Sequence, residues 1–456
     1  MAPYKAVKVL EQCQVAPPPG SVPSGLTHIP LTFFDQLWLP LPPPQILFFY
    51  DYPYPTTHFT QFLLPHIKLS LSSTLIHFYP LAGKLSWPHD SYRPIIRFIS
   101  GDSLSLTIAE SDADFNSLSG DHARHANESH PLVPHLPSSG PVVPLLAIQV
   151  TLFPNSGFSI GTTTNHSFID GRAYAHFMLT WALISKLGDP NQPLPFLDRT
   201  VIKDPNGIEK EYLNELDRFI GSESVSGNRC LRVMDIKLQP DMFRATFELN
   251  PNNLKTLKDW IHVSTYMATC AFVWVCVLKA EAAAAIDESM PNNNMTHSNR
   301  TQFVMNVDCR GRVEPQIPAT YFGNCIRPFV VIGERSDLLR EDGIVVATQL
   351  IEEAIRELDK GVLRGLENGI SDLLRVETGR VIAAAGSPRF GLYRLDFGWG
   401  KPKKMEFVSN DITGSIFMKE SRNLDGGVEI DLALNKKEMD VFASVVVNEL
   451  KGLKAL

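Results

Sequence analysis

Apolar residues recur along this chain with two periods, and their alternation predicts a mixed α/β protein. Short apolar or alternating runs read as strands at 7–15, 45–50, 95–99, 103–108, 147–153, 157–164 and 302–308. A three-to-four-residue period runs through Phe62, Leu63, Ile67, Leu71 and Leu75, and again through Ala173, Phe177, Trp181 and Ile184. Asn250 and Ser264 stand where helix caps belong, ahead of Pro251 and of the apolar run 266–280. That run is the most apolar in the chain, but it is shorter than a bilayer span and ends in Lys279 and Glu281, so a buried helix is expected. An amphipathic helix is expected within 343–366. Strands 415–421 and 428–434 should form a hairpin around 423–427, and Asn435 should cap a last helix to about Leu450.

Length divides this pattern. With 456 residues the chain exceeds one ordinary core, and two domains are expected. Periodicity fades after Gly188, where Pro, Asp and Asn accumulate until about Cys230. The expected division is therefore 1–190, a crossover at 191–229, and 230–456. A formal charge of −7 with both signs interspersed gives no basic patch for nucleic acid. Six scattered cysteines without a CxxC fit reduced thiols in a cytosolic protein, and residues 1–10 lack the apolar core of a signal peptide. Residues 112–140 read as loop with a short helix, and 287–301 as a polar excursion.

The chemistry concentrates at residues 163–171. His166 lies four residues before Asp170, where the strand ending near Thr164 gives way to a helix. A histidine at a strand end can project into a cleft, and its near-neutral pKa suits a general base. Asp170 falls at the helix N-cap, so it shapes the loop if it also pairs with an arginine. Gly171 allows close backbone approach. A rival pattern, Gly157-Phe-Ser159-Ile-Gly161, matches the GxSxG of serine hydrolases, but that motif needs a sharp strand-to-helix elbow. Here Thr162–Thr164 continue the strand, so the elbow is not expected. His122, His125, His130 and His135 read as solvated loop histidines and not as a metal site. No phosphate-binding loop or dinucleotide fingerprint is present. Finally, Asp396-Phe-Gly-Trp399-Gly400, followed by Lys-Pro, reads as a rigid aromatic corner.

With both stretches in view, the chain resembles the plant BAHD acyltransferases, whose hallmarks are HxxxD and DFGWG. Both are complete, at 166–170 and 396–400, and the resemblance runs from Val7 to Leu450. Tyr321-Phe-Gly-Asn-Cys325 is similar to the YFGNC signature of the anthocyanin and flavonoid glucoside branch. So are Leu31-Thr-Phe-Phe-Asp35 with Trp38-Leu39, and Tyr79-Pro-Leu-Ala-Gly-Lys84.

The resemblance implies two similar-sized α/β domains of the chloramphenicol-acetyltransferase type with mixed sheets, joined by a long crossover. A solvent channel would pass between them, with His166 reachable from both mouths. Acyl-CoA, with malonyl-CoA favoured, would be the co-substrate and a phenolic or flavonoid glucoside the acceptor, in a monomer without bound cofactor. His166 would be the base. Asp170 would pair with Arg310 of Asp308-Cys-Arg310, and Trp399 would support the fold; Asp396 carries a second, acid/base possibility. Lys258, Ser264 and Thr265 are assigned to CoA phosphates, although a surface lysine and a helix cap would look the same. Arg172 is assigned to the malonyl carboxylate, with a solvent-facing arginine as its alternative. Ser387 is a guess for an oxyanion donor. The rival donor is hydroxycinnamoyl-CoA on the same scaffold, and the rival class is a serine hydrolase using Ser159.

Overall fold

The computed structural model describes residues 7–22, 24–236, 241–286, 299–374 and 381–455. It is α/β, built around two large mixed sheets. One has six strands in the order Lys8–Val15, Leu104–Glu110, Leu146–Phe153, Gly157–Thr164, Gln45–Asp51 and Lys404–Phe407. The other has seven, in the order Ile326–Glu334, Arg300–Asp308, Val381–Gly386, Ser415–Glu420, Val428–Asn435, Met242–Leu249 and Arg124–His125. Leu104–Glu110 runs parallel to Leu146–Phe153, and Val381–Gly386 runs parallel to both of its neighbours; the other pairings in these two sheets are antiparallel. A smaller antiparallel sheet joins Leu26–Pro30, Ile95–Ile99, Lys84–Ser86 and Val142–Pro144.

The two halves of the chain exchange strands. Lys404–Phe407, from the second half, pairs with Gln45–Asp51 in the first sheet. Arg124–His125, from the first half, pairs with Met242–Leu249 in the second. Charge locks the exchange: Arg124 Nη2 donates to Glu406 Oε1 at 2.7 Å, and Ser129 Oγ to Glu406 Oε2 at 2.6 Å. Burial opposes ionisation of Glu406, but Arg124, Arg244, Lys404 and the Ser129 hydroxyl outweigh it and hold its pKa at about 2. The histidine-rich loop therefore differs from its expectation. His130 Nε2 lies 2.7 Å from Asp411 Oδ2, and the His125 ring rests 4.2 Å from that of Phe243. His122 and His135 are exposed.

The helix Gly171–Leu187 shows how sequence sets local structure. Asp170 is its extended N-cap and accepts the Ala173 N–H at 2.9 Å, and Gly188 ends it at φ +77°. Between these caps Ala173, Tyr174, Phe177, Met178 and Trp181 face the core. Full burial of Phe177 or Trp181 stabilises by roughly 2–3 kcal/mol each. Thr265–Ile286 is apolar on every side because three helices cover it: Pro251–Ile261, Gly343–Asp359 and Lys436–Ala455. By length and composition it could cross a membrane, but 67% of its apolar window is buried within the protein.

The crossover is more ordered than expected, since Ile208–Ile220 within it is a helix. Asp204 accepts the N–H groups of Ile208 and Glu209 at its start. Ile208, Tyr212, Leu213, Leu216 and Ile220 form a buried stripe at helical spacing. Flanking Pro, Asn and Asp masked that stripe. Most of the polar excursion expected at 287–301 lies outside the described residues.

Candidate active site

Three distant stretches of chain meet at His166. The first is the HxxxD loop itself, which ends the strand Gly157–Thr164 and opens the helix Gly171–Leu187. The second is Thr32–Trp38, where Asp35 Oδ2 accepts both the Thr32 N–H at 3.0 Å and the Thr32 hydroxyl at 2.9 Å, forming a capping box. The third is the Tyr321–Cys325 signature.

Hydrogen bonds tie the third stretch to both others. Asn324 Nδ2 donates to the His166 carbonyl at 2.8 Å and to Asp35 Oδ1 at 3.1 Å, and the Asn324 N–H reaches the same Asp35 oxygen at 3.0 Å. The Cys325 N–H donates to Asp170 Oδ2 at 3.1 Å. Arg310 Nη1 lies 2.8 Å from that oxygen, while its Nη2 donates to the carbonyls of Tyr321 and Gly323, each at 3.1 Å. Arg199, from the crossover, donates to the Tyr321 hydroxyl at 2.6 Å and lies 3.5 Å from Asp35 Oδ2. A Cβ on Gly323 would fall 1.5 Å from the Arg199 guanidinium, so any side chain there would displace Arg199 from Tyr321 and Asp35.

His166 as a residue is half-buried. One face stacks on the Trp38 indole, with centroids 4.3 Å apart and planes 8° from parallel. Nδ1 is buried without a hydrogen-bond partner. Burial pulls the imidazole pKa below its ordinary 6.5, partly offset by the ring's own main-chain carbonyl, Asp170 and Asn324. A neutral imidazole at cellular pH, with its main chain fixed by Asn324 and Asp170, is suited to accept a proton.

The other anticipated residues fall in several places. Gly171 packs against Phe390, whose ring a Cβ would approach to 2.8 Å, and this brings the loop containing Ser387 to the start of the helix. Ser387 Oγ itself accepts the Arg389 N–H at 3.2 Å. Arg172 is half exposed and pairs with Asp308 at 2.9 Å; Asp308 also contacts Arg310 at 3.1 Å. Its guanidinium is thus engaged by a carboxylate of this chain while remaining half open to solvent. Lys258 and Ser264 are exposed, and Ser264 Oγ accepts the Met267 N–H at 3.3 Å as a helix cap.

Asp396 is not beside His166. Its Oδ2 pairs with Lys186 at 2.6 Å, and its Oδ1 accepts the Gly398 and Gly400 N–H groups at 2.9 and 3.1 Å. Lys186 is in the last turn of the helix that Asp170 caps, roughly 24 Å further along at 1.5 Å per residue. The partners of Asp396 are those of the structural corner, and none of them belongs to the His166 cluster. Burial opposes its charge, but Lys186 and the two backbone donors win and lower its pKa. Trp399 sits edge-on to His66 and Phe158, packed against the first core. Ser159 lies inside a strand paired on both sides, its Oγ buried and unbonded, so no nucleophile elbow exists.

Two clefts flank the cluster. One, about 400 Å³, lies among Phe34, Ile202, Lys203, Arg312, Ile317 and Arg364. The other, about 500 Å³, is bounded by Arg172, Arg310, Gln316 and Pro318. His166 lines neither of them.

Residues 7–447 match the sequence profile of the Transferase family. This chain belongs to the BAHD acyltransferases. A phenolic glucoside malonyltransferase of Nicotiana tabacum is 39% identical over 90% of this chain and 91% of its own. A coumaroyl-CoA:anthocyanidin 3-O-glucoside-6''-O-coumaroyltransferase of Arabidopsis thaliana is 37% identical over 97% of each. Among solved structures, vinorine synthase shares the fold with a TM-score of 0.71 at 19% identity, over 97% of this BAHD chain and 98% of its own. Asp35, Trp38, Arg199 and Asn324 had not been singled out as site residues. For Asp35, Trp38 and Asn324 the signal is their place in the Leu31–Leu39 and Tyr321–Cys325 stretches, whereas nothing around Arg199 in the crossover marks it.

Proposed function

We propose that this enzyme moves a malonyl group from malonyl-CoA to a sugar hydroxyl of a phenolic or flavonoid glucoside, with His166 as general base. The observation that carries the reading is the bond from Asn324 to the His166 carbonyl, which couples the branch signature to the HxxxD loop. Similarity to the malonyltransferases supports the donor.

The His166 imidazole takes the hydroxyl proton as the sugar oxygen attacks the thioester carbonyl. The tetrahedral oxyanion then collapses, breaking the C–S bond, and the imidazolium returns its proton to the CoA thiolate. Transfer is direct, without an acyl-enzyme, in keeping with the inert placement of Ser159. Ser264 and Thr265, at the start of the Thr265–Ile286 helix, and Lys258, in the last turn of Pro251–Ile261, are assigned to the CoA phosphates. Arg172 is assigned to the malonyl carboxylate, its guanidinium then being shared between that group and Asp308. The reading further takes the protein as a cytosolic monomer with reduced thiols, a channel to His166 opening between its halves; all six cysteines are unpaired.

Coumaroyltransferases among the relatives keep an aromatic donor in view. Turnover measured side by side with malonyl-CoA and p-coumaroyl-CoA on a flavonoid glucoside decides between them. Higher kcat/KM with malonyl-CoA is expected; preference for p-coumaroyl-CoA would replace the donor and leave the base unchanged.

A further inference from the structure

The Trp38 indole is buried, yet its Nε1–H has no hydrogen-bond partner. An unpaired buried donor is a standing cost that phenylalanine would avoid while filling much of the same space. No side-chain hydrogen bond therefore explains why an indole is here. What the indole does have is an almost parallel contact with the His166 ring at 4.3 Å. Among aromatic side chains, indole presents the most electron-rich face to a cation, and the attraction is strongest where water is excluded.

We infer that Trp38 is a positioning residue, which holds the His166 ring flat and stabilises its protonated form during transfer. The inference rests on His166 being the base. As the hydroxyl proton arrives, positive charge develops on a ring whose burial disfavours it, and the indole face supplies compensation that a hydrocarbon would not. The other charges around this ring are Asp170 at the end of its loop, Asp35 from the short helix Phe33–Gln36, Arg310 beyond the strand Arg300–Asp308, and Arg199 from the crossover. None of these is altered by substitution at Trp38.

The test is an NMR titration of the His166 ring in the full chain, its signal assigned by loss in His166→Gln, for wild type, Trp38→Phe and Trp38→Leu. The expected result is a His166 pKa lower by about one unit in Trp38→Leu, with Trp38→Phe between that and wild type. Should Trp38→Leu fail to fold, the fall in Trp38→Phe alone decides. A pKa that is unchanged or raised overturns the inference. This readout needs no turnover, so it is separate from the base reading, which would fail instead if an enzyme lacking the imidazole kept its rate.

Discussion

Arg310 Nη1 lies 2.8 Å from Asp170 Oδ2, with the two side chains 3% and 1% exposed. The pair joins the HxxxD loop of the first half to the loop following Arg300–Asp308 in the second. Asp170 is also the cap of the helix behind His166 and accepts the Cys325 N–H. Asp170→Ala removes all three interactions and strands a buried guanidinium that Asp308 only partly satisfies. The expected loss is about 3–5 kcal/mol in urea unfolding, since breaking one side of a buried pair is costly. A loss below about 1 kcal/mol would mean the pair does not hold the site together.

Asp396 belongs to a different part of the molecule. Its partners are Lys186 and the turn N–H groups of Gly398 and Gly400. Asp396→Asn keeps an acceptor for the turn and loses the ion pair, so kcat should stay within about twofold while Tm falls by about 1 °C or less. A hundredfold fall in kcat without unfolding would reinstate it as an acid/base group.

The exchanged strands give the fold an acid sensitivity. Glu406 has a folded pKa of about 2 against an ordinary value of 4.5, and the difference corresponds to about 3 kcal/mol. Because the folded value is the lower one, this contribution is complete above pH 4.5 and is lost as pH falls toward 2. Glu406→Gln should destabilise the protein at neutral pH by about 3 kcal/mol or more, by leaving Arg124 buried without its carboxylate and Arg244 with Asp411 alone. It should also flatten the stability curve between pH 4.5 and 2. Chemical unfolding across that range checks both; an unchanged slope would remove Glu406 from the account.

Arg172 tests the donor. Its ion pair with Asp308 is half exposed and contributes little stability by itself. If the guanidinium also receives the malonyl carboxylate, Arg172→Ala should lower kcat/KM for malonyl-CoA by about tenfold or more and spare p-coumaroyl-CoA. Equal losses with both donors would assign Arg172 to the support of Asp308 and Arg310.

Much of this arrangement could be read from residues close together in the chain. Asp170 as a cap, the apolar stripe from Ala173 to Trp181, and the strand that keeps Ser159 from becoming an elbow follow from local pattern. The Asp170–Arg310 pair was reached through family resemblance, because no local rule links residues 140 positions apart. Pairing across the halves was not legible. Lys404–Phe407 reads as an ordinary short run, and nothing in it announces that Glu406 will meet Arg124 in the neighbouring sheet. Nor does Asn324 announce two acceptors from two other stretches. The helix Ile208–Ile220 was legible, but the breakers around it drew the eye away from five apolar positions at helical spacing.

The central claim is that the imidazole of His166 takes the acceptor's proton. Burial holds its pKa below the ordinary 6.5, which favours the neutral, proton-accepting form at cellular pH. The measurement that tests this most directly is kcat for His166→Ala with malonyl-CoA and a flavonoid glucoside at saturating concentrations. A fall of about 100-fold or more is predicted; turnover within a fewfold of wild type would contradict the account.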